Sequence, residues 1–145
     1  MMTQTKSRGY ILVIEDERDF AELIASVLRK KGYEVAQAHN IEDALKCVQE
    51  RTPDLITLDL QMPAAQRQCG LHFYRCVKSN ETYRQIPIVV ITGVMREDRE
   101  MEGLVRSFLE IDRVSPPDAY IDKPFENREL IRVVAEALAA REPSI

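Results

Sequence analysis

Asp54-Leu55-Ile56-Thr57-Leu58-Asp59-Leu60-Gln61-Met62-Pro63 is the stretch on which the reading of the fold turns. Leu55 to Leu58 is mostly apolar and too short for an ordinary helix. It runs into a carboxylate, and Pro63, four residues later, bars continuation as strand or helix. The segment therefore reads as a buried strand that delivers Asp59 to its carboxyl edge. In an open parallel sheet with helices on both faces, ligands and chemistry collect outside those edges, where the strand order reverses. Asp59 alone decides little, because aspartate is common where strands end and readily caps the following loop. Its weight comes from the strands around it.

Upstream, Tyr10-Ile11-Leu12-Val13-Ile14 is a continuous apolar run, the pattern of a strand covered on both faces, and it stops at Glu15-Asp16-Glu17. Phe20, Leu23, Ile24, Val27 and Leu28 then follow the spacing of an amphipathic helix that ends at Gly32, behind Arg29, Lys30 and Lys31. Glu34 to Ala38 predicts a short second strand, and Ile41, Ala44, Leu45 and Val48 predict a second helix closed before Pro53. Downstream, Gly70 to Asn80 carries a weaker helical signal, with Phe73, Cys76 and Val77 on one face. Pro87-Ile88-Val89-Val90-Ile91-Thr92-Gly93 reads as a fourth buried strand with proline at its tolerated first position. Met101, Leu104, Val105, Phe108 and Leu109 repeat the helical spacing until Ser115-Pro116-Pro117-Asp118 breaks it. Ala119 to Asp122 is a short fifth strand leading into Lys123-Pro124-Phe125, and Leu130, Val133, Val134, Ala137 and Leu138 mark a closing helix. Strands and helices alternating in this way imply right-handed crossovers and a doubly wound α/β fold, a flavodoxin-like parallel sheet of five strands in the order 2-1-3-4-5.

At 145 residues the chain is one domain's worth, long enough to form a core without disulfide or metal staples. Its 20 basic and 24 acidic residues are well mixed, for a net charge of −4, and give neither a basic stripe for nucleic acid nor a polybasic membrane patch. A protein partner is expected, with no nucleic acid and no membrane. Met1 to Gly9 is polar and weakly basic and lacks the apolar centre of a signal peptide, and no apolar run approaches a membrane span. Cys47, Cys69 and Cys76 make an odd count without a CxxC pair, which fits a reducing cytoplasm. His39 and His72 are isolated in sequence and read as loop or surface residues.

The chemistry assembles at strand ends. The first, third, fourth and fifth strands terminate in Glu15-Asp16, Asp59, Thr92 and Lys123, and parallel strands bring these residues to one edge. Each has a bland reading alone: Glu15 and Asp16 as helix-capping acids, Thr92 as a strand-end hydroxyl, Lys123 as a surface lysine. Together, three carboxylates and one ammonium carry −3 + 1 = −2, which is unfavourable in a partly buried pocket unless a divalent cation binds or a carboxyl pKa rises. Oxygen donors without His or Cys favour Mg²⁺. A phosphoryl group is the natural substrate for such a site. Its equatorial oxygens would be held by the metal, the Lys123 ammonium and the Thr92 hydroxyl, with Asp59 as the nucleophile forming an acyl phosphate and Gly93 leaving room for it.

These residues resemble the response regulator receiver domain of two-component signalling. The resemblance rests on Ile11-Leu12-Val13-Ile14-Glu15-Asp16-Glu17, Leu58-Asp59-Leu60-Gln61-Met62-Pro63, Val90-Ile91-Thr92-Gly93 and Tyr120-Ile121-Asp122-Lys123-Pro124-Phe125. It implies a receiver domain over residues 10–141 between an N-terminal tail (1–9) and a C-terminal tail (142–145), with no output domain, although a fragment of a longer regulator would read the same. It implies further that Asp59 accepts a phosphoryl group from a phosphohistidine on a histidine kinase or histidine phosphotransfer protein. Asp16 and Asp59 would bind Mg²⁺ directly, the Gln61 backbone carbonyl would be a third ligand, Glu15 would act through water, and Thr92 and Lys123 would hold the phosphoryl oxygens. Such a protein is a signalling phosphoacceptor that takes part in its own phosphorylation and dephosphorylation rather than a turnover enzyme. The switch would couple Thr92 to Tyr120, three residues before Lys123, and reshape the surface of the fourth helix, fifth strand and fifth helix for a downstream protein or a second copy of the chain.

Three features depart from the family pattern: Glu15 stands where aspartate is commoner, Ala64 to Cys69 lengthens the loop after Asp59, and the interval from Thr92 to Lys123 is long, with Val114-Ser115-Pro116-Pro117 in it. Two other classes compete. One is a receiver-like binding module that never takes up phosphate, and the other is a Mg²⁺-dependent phosphohydrolase, which would want an acid where Gln61 stands.

Overall fold

The structure is a computed structural model that describes residues 8–60, 70–92 and 117–141. Five strands, β1 (Tyr10–Ile14), β2 (Glu34–Ala38), β3 (Leu55–Leu58), β4 (Ile88–Thr92) and β5 (Ala119–Asp122), form one sheet in the order β2-β1-β3-β4-β5. Every neighbouring pair is parallel. Helices α1 (Arg18–Lys30), α2 (Ile41–Glu50) and α3 (Gly70–Lys78) follow the first three strands, and a closing helix spans Asn127–Arg141. The doubly wound architecture expected from the alternation is therefore present. The helix expected between Gly93 and Glu110, the Ala64 to Cys69 loop, Gln61, residues 1–7 of the N-terminal tail and the C-terminal tail lie outside the described residues.

Two cores flank the sheet, and the two-residue period of the strands sorts side chains between them. Leu12, Ile14, Ile56, Leu58, Ile88 and Val90 point to one face, where α2 and α3 supply Ile41, Ala44, Val48, Phe73, Tyr74 and Val77. Ile11, Val13, Leu55, Val89, Ile91 and Ile121 point to the other, against Ile24 and Leu28 of α1 and Leu130, Val133 and Val134 of the closing helix. Continuous apolar strands are what a sheet covered on both faces requires.

Local chemistry fixes the ends of the elements. α1 closes at Gly32, whose φ of +95° suits a residue without Cβ. Asn40 caps α2 by accepting from the Asp43 N–H at 2.7 Å. The Lys78 ammonium, whose side chain is 7% exposed, donates to the carbonyls of Arg84 (3.1 Å) and Ile86 (2.7 Å) and fastens the turn before β4. At the amino edge of the sheet, Asp54 accepts from the Tyr10 N–H at 2.7 Å and pairs with Arg141 at 3.0 Å, so β1, the approach to β3 and the closing helix meet there. These ties lie at the end of the sheet away from the strand-end carboxylates and leave the carboxyl edge to the chemistry.

Candidate functional site

Register decides which strand ends meet. Ile14 pairs with Leu58, so the next residues, Glu15 and Asp59, emerge side by side, and the Asp59 N–H donates to the Ile14 carbonyl at 3.2 Å. Thr92 pairs with Asp122, which sets Lys123 one residue beyond the sheet on the far side of β4. The Lys123 side chain reaches back across that edge. Its Nζ donates to Asp59 Oδ2 at 3.1 Å and to Glu15 Oε1 at 3.2 Å.

Both carboxylates are almost fully buried, with Glu15 3% and Asp59 4% exposed, whereas Asp16 is exposed. Glu15 Oε2 also accepts from the Glu17 N–H at 3.2 Å, so this acid braces the turn into α1, while Glu17, the N-cap residue, makes no side-chain cap bond. Burial, followed by the charge of Asp59, raises the Glu15 carboxyl from 4.5 to about 7, against the opposing pull of the Glu17 N–H and Lys123. Burial alone would lower the Lys123 pKa, but the charges and hydrogen bonds of Asp59 and Glu15 outweigh it, and the ammonium is held above its ordinary value.

Glu15, Asp16 and Asp59 each offer an oxygen within 4.8 Å of the others, and among the described residues they are the group that could hold a metal ion. The donor set is all carboxylate, and with Lys123 beside it the formal charge is −3 + 1 = −2. Hard oxygen donors with a charge deficit of two fit a hard divalent cation and give a soft metal nothing to hold. Burial first and the Asp59 charge second raise the Glu15 pKa, so when no cation is present a proton removes a buried charge and relieves part of the repulsion.

The sequence thus brings Glu15, Asp16, Asp59 and Lys123 together. Thr92 ends β4 at the same edge, with its side chain outside the description, and Gln61 lies outside the described residues. Tyr120 is on the edge strand β5 with 41% of its surface exposed, the half-exposed setting that edge-strand chemistry favours.

Three contributors escaped the sequence reading. His39, read as a loop or surface residue, is half-buried, with Nδ1 3.0 Å from the Glu15 carbonyl oxygen. Phe20, read as one apolar position of α1, lies beneath Lys123, whose Nζ is 4.6 Å from the ring centroid. Gly70, read only as the start of α3, lets that helix approach so closely that a Cβ there would stand 2.5 Å from the Asp59 carbonyl oxygen. The sequence signal for the last was a glycine where the helix begins, a position at which close approach and simple permissiveness look the same.

Comparison with known proteins gives a consistent picture. The family model described as response regulator receiver domain matches residues 11–135. The phosphate regulon transcriptional regulatory protein PhoB of Pseudomonas aeruginosa is 36% identical over 121 residues, 83% of this chain and 48% of that protein. The regulatory protein VanR of Enterococcus faecium is 32% identical over 127 residues, 87% of this chain and again 48% of the relative. The chain therefore spans about half the length of the curated relatives it matches. Among solved structures, the receiver domain of NtrX from Brucella abortus superposes with a TM-score of 0.74 at 29% identity, covering 89% of this chain and 98% of that one.

Proposed function

The chain belongs to the response regulator receiver domain family of two-component signalling, and we propose that it works by accepting a phosphoryl group on Asp59 in a Mg²⁺-dependent reaction. The observation that carries this reading is the placement of one ammonium, Lys123 Nζ, 3.1 Å from Asp59 Oδ2, beside a cluster of three carboxylate donors. The receiver domain in this reading is residues 10–141. Its donor is a phosphohistidine on a histidine kinase or histidine phosphotransfer protein, met in the cytoplasm.

Asp16 and Asp59 would hold the cation directly, with the Gln61 carbonyl as a further donor and Glu15 acting through water. When bound, Mg²⁺ supplies positive charge that the three carboxylates lack and the transferring phosphoryl group needs. Asp59 is the nucleophile: one of its oxygens forms a bond to phosphorus as the bond from phosphorus to the donor's imidazole nitrogen breaks, and the imidazole leaves with that electron pair. Lys123 is already directed at Asp59 by its ion pair, so its ammonium can shift onto the phosphoryl oxygens as the Asp59 charge is consumed, with little reorganisation. The backbone around Asp59, fixed to Ile14 and crowded by Gly70, keeps the carboxylate from swinging away.

The Thr92 hydroxyl completes the oxygen-binding set, and its movement toward the phosphate is coupled to burial of the exposed Tyr120 ring. The surface reshaped by that coupling, made by the segment after β4, by β5 and by the closing helix, is the one a downstream protein or second copy would read. The protein is a phosphoacceptor with a part in its own phosphorylation and dephosphorylation, not a turnover enzyme.

The reading is tested by measuring uptake of a phosphoryl group from a small phosphodonor, by intact mass, with Mg²⁺ and after its removal by chelation. Uptake that requires Mg²⁺ and is lost in Lys123→Met by at least about tenfold agrees with the proposal. Uptake indifferent to both would overturn it.

A further inference from the structure

The Lys123 ammonium makes a contact that neither ion pairing nor phosphate binding requires, with the face of Phe20. Nζ stands 4.6 Å from the ring centroid, within the range in which a cation is drawn to the negative face of an aromatic ring. The ring is itself held. Phe125, two residues beyond Lys123, meets Phe20 edge to face, with centroids 5.8 Å apart and planes at 66°. Both rings pack against the core that contains Ile24, Ile121 and Leu130. Phe20 belongs to α1 and Phe125 to the segment after β5, so the pair ties the first helix to the turn that carries the lysine.

We infer that Phe20 is a positioning residue for Lys123, holding the ammonium over the phosphoryl site through its π face. The inference rests on the reading of Lys123 as a phosphoryl-binding group. A lysine has four rotatable side-chain bonds, and its side chain here is 27% exposed, so two carboxylate contacts compete with water for its head group. The ring adds a third, non-titrating contact from a different element. That contact matters most during transfer, when the charge of Asp59 is being neutralised and one of the two anionic anchors weakens. The ring does not weaken with it. An aliphatic residue would fill the same space and keep the helix packed, but would offer the ammonium no electrostatic partner, and this separates positioning from packing.

Two variants distinguish the roles: Phe20→Leu keeps apolar bulk and Phe20→Tyr keeps the ring. In protein labelled with ¹³C at the lysine ε carbons, the Lys123 signal, assigned by its loss in Lys123→Arg, is expected to be shifted upfield by the ring in the parent and in Phe20→Tyr. It should move back in Phe20→Leu. With Mg²⁺ and a saturating small phosphodonor, Phe20→Leu is expected to take up the phosphoryl group about three- to tenfold more slowly than the parent. Phe20→Tyr should react at the parent rate, and both variants should melt within a few degrees of it. An unshifted Lys123 signal in the parent, or uptake by Phe20→Leu at the parent rate, overturns the positioning role while leaving Asp59 as the acceptor. Failure of the parent itself to take up phosphate while Mg²⁺ binds overturns the acceptor reading and this inference with it.

Discussion

Replacing Gly70 with alanine sets two effects of opposite sign against each other. Within a helix the change should stabilise, by up to about 1 kcal/mol and less at the first residue, where Gly70 sits. Gly70 is not among the positive-φ glycines, so no backbone strain opposes the substitution. What opposes it is space: the new Cβ would meet the Asp59 carbonyl oxygen at 2.5 Å, the Leu60 Cα at 2.8 Å and the Asp59 carbonyl carbon at 3.2 Å. All three are backbone atoms, and none can rotate away. Contacts below 3.0 Å do not persist, so α3 or the β3 end must move by at least about 0.5 Å. Overpacking of this kind costs about 1–3 kcal/mol, which exceeds the helix gain. The net loss is about 1–2 kcal/mol, a fall in melting temperature of roughly 3–8 °C for a chain of this size. Two of the three displaced atoms belong to Asp59, the proposed acceptor, so phosphoryl uptake should also slow by about tenfold or more. Thermal melting and timed intact-mass measurements on Gly70→Ala check both. A melting temperature equal to or above that of the parent, with uptake unimpaired, would refute the claim that this glycine is a spacer.

The raised carboxyl of Glu15 predicts a pH dependence with a definite sign. Its folded pKa of about 7 lies above the ordinary 4.5, so in the metal-free protein its stabilising contribution is fully present below about 4.5 and is lost as pH rises through about 7. Glu15→Gln should therefore gain melting temperature relative to the parent between about pH 5 and pH 8, and the stabilisation of the parent by Mg²⁺ should grow over the same interval. Differential scanning fluorimetry with and without Mg²⁺ reads both, and a Glu15→Gln difference that stays flat with pH would count against the assignment. Lys78→Met removes the donor to the Arg84 and Ile86 carbonyls and should cost about 1–3 kcal/mol by chemical denaturation without altering phosphoryl uptake. A matching loss of uptake would mean that the turn before β4 is coupled to the site.

The legible part of the fold was its pattern. Tyr10–Ile14, Leu55–Leu58 and Ile88–Thr92 announced themselves because strands covered on both faces must be apolar throughout, and no other short element imposes that demand. The site was legible for a related reason. In a parallel sheet the residue after each strand is at the same edge, so Glu15, Asp59 and Lys123 were placed together by topology before any distance was known.

What escaped reading depends on three-dimensional approach rather than on type and spacing. Phe20 satisfied a helical period and so looked fully explained by the core, yet its face supports the Lys123 ammonium. His39 had no sequence partner because its partner is a main-chain carbonyl, that of Glu15, which every residue type possesses. Gly70 offered a helix start, and nothing in the sequence told which backbone it would press against. Lys78 resembled any basic residue near a helix end, whereas its ammonium is buried on two carbonyls.

The most direct measurement is to locate the phosphoryl group. The parent and Asp59→Asn are incubated with Mg²⁺ and a small phosphodonor, weighed intact, and then digested so that the modified peptide is identified. A single phosphoryl group on the parent, carried by the peptide containing Asp59 and absent from Asp59→Asn, is the predicted result. Equal uptake by Asp59→Asn, or no uptake by a parent that demonstrably binds Mg²⁺, would contradict the assignment of Asp59 as the acceptor.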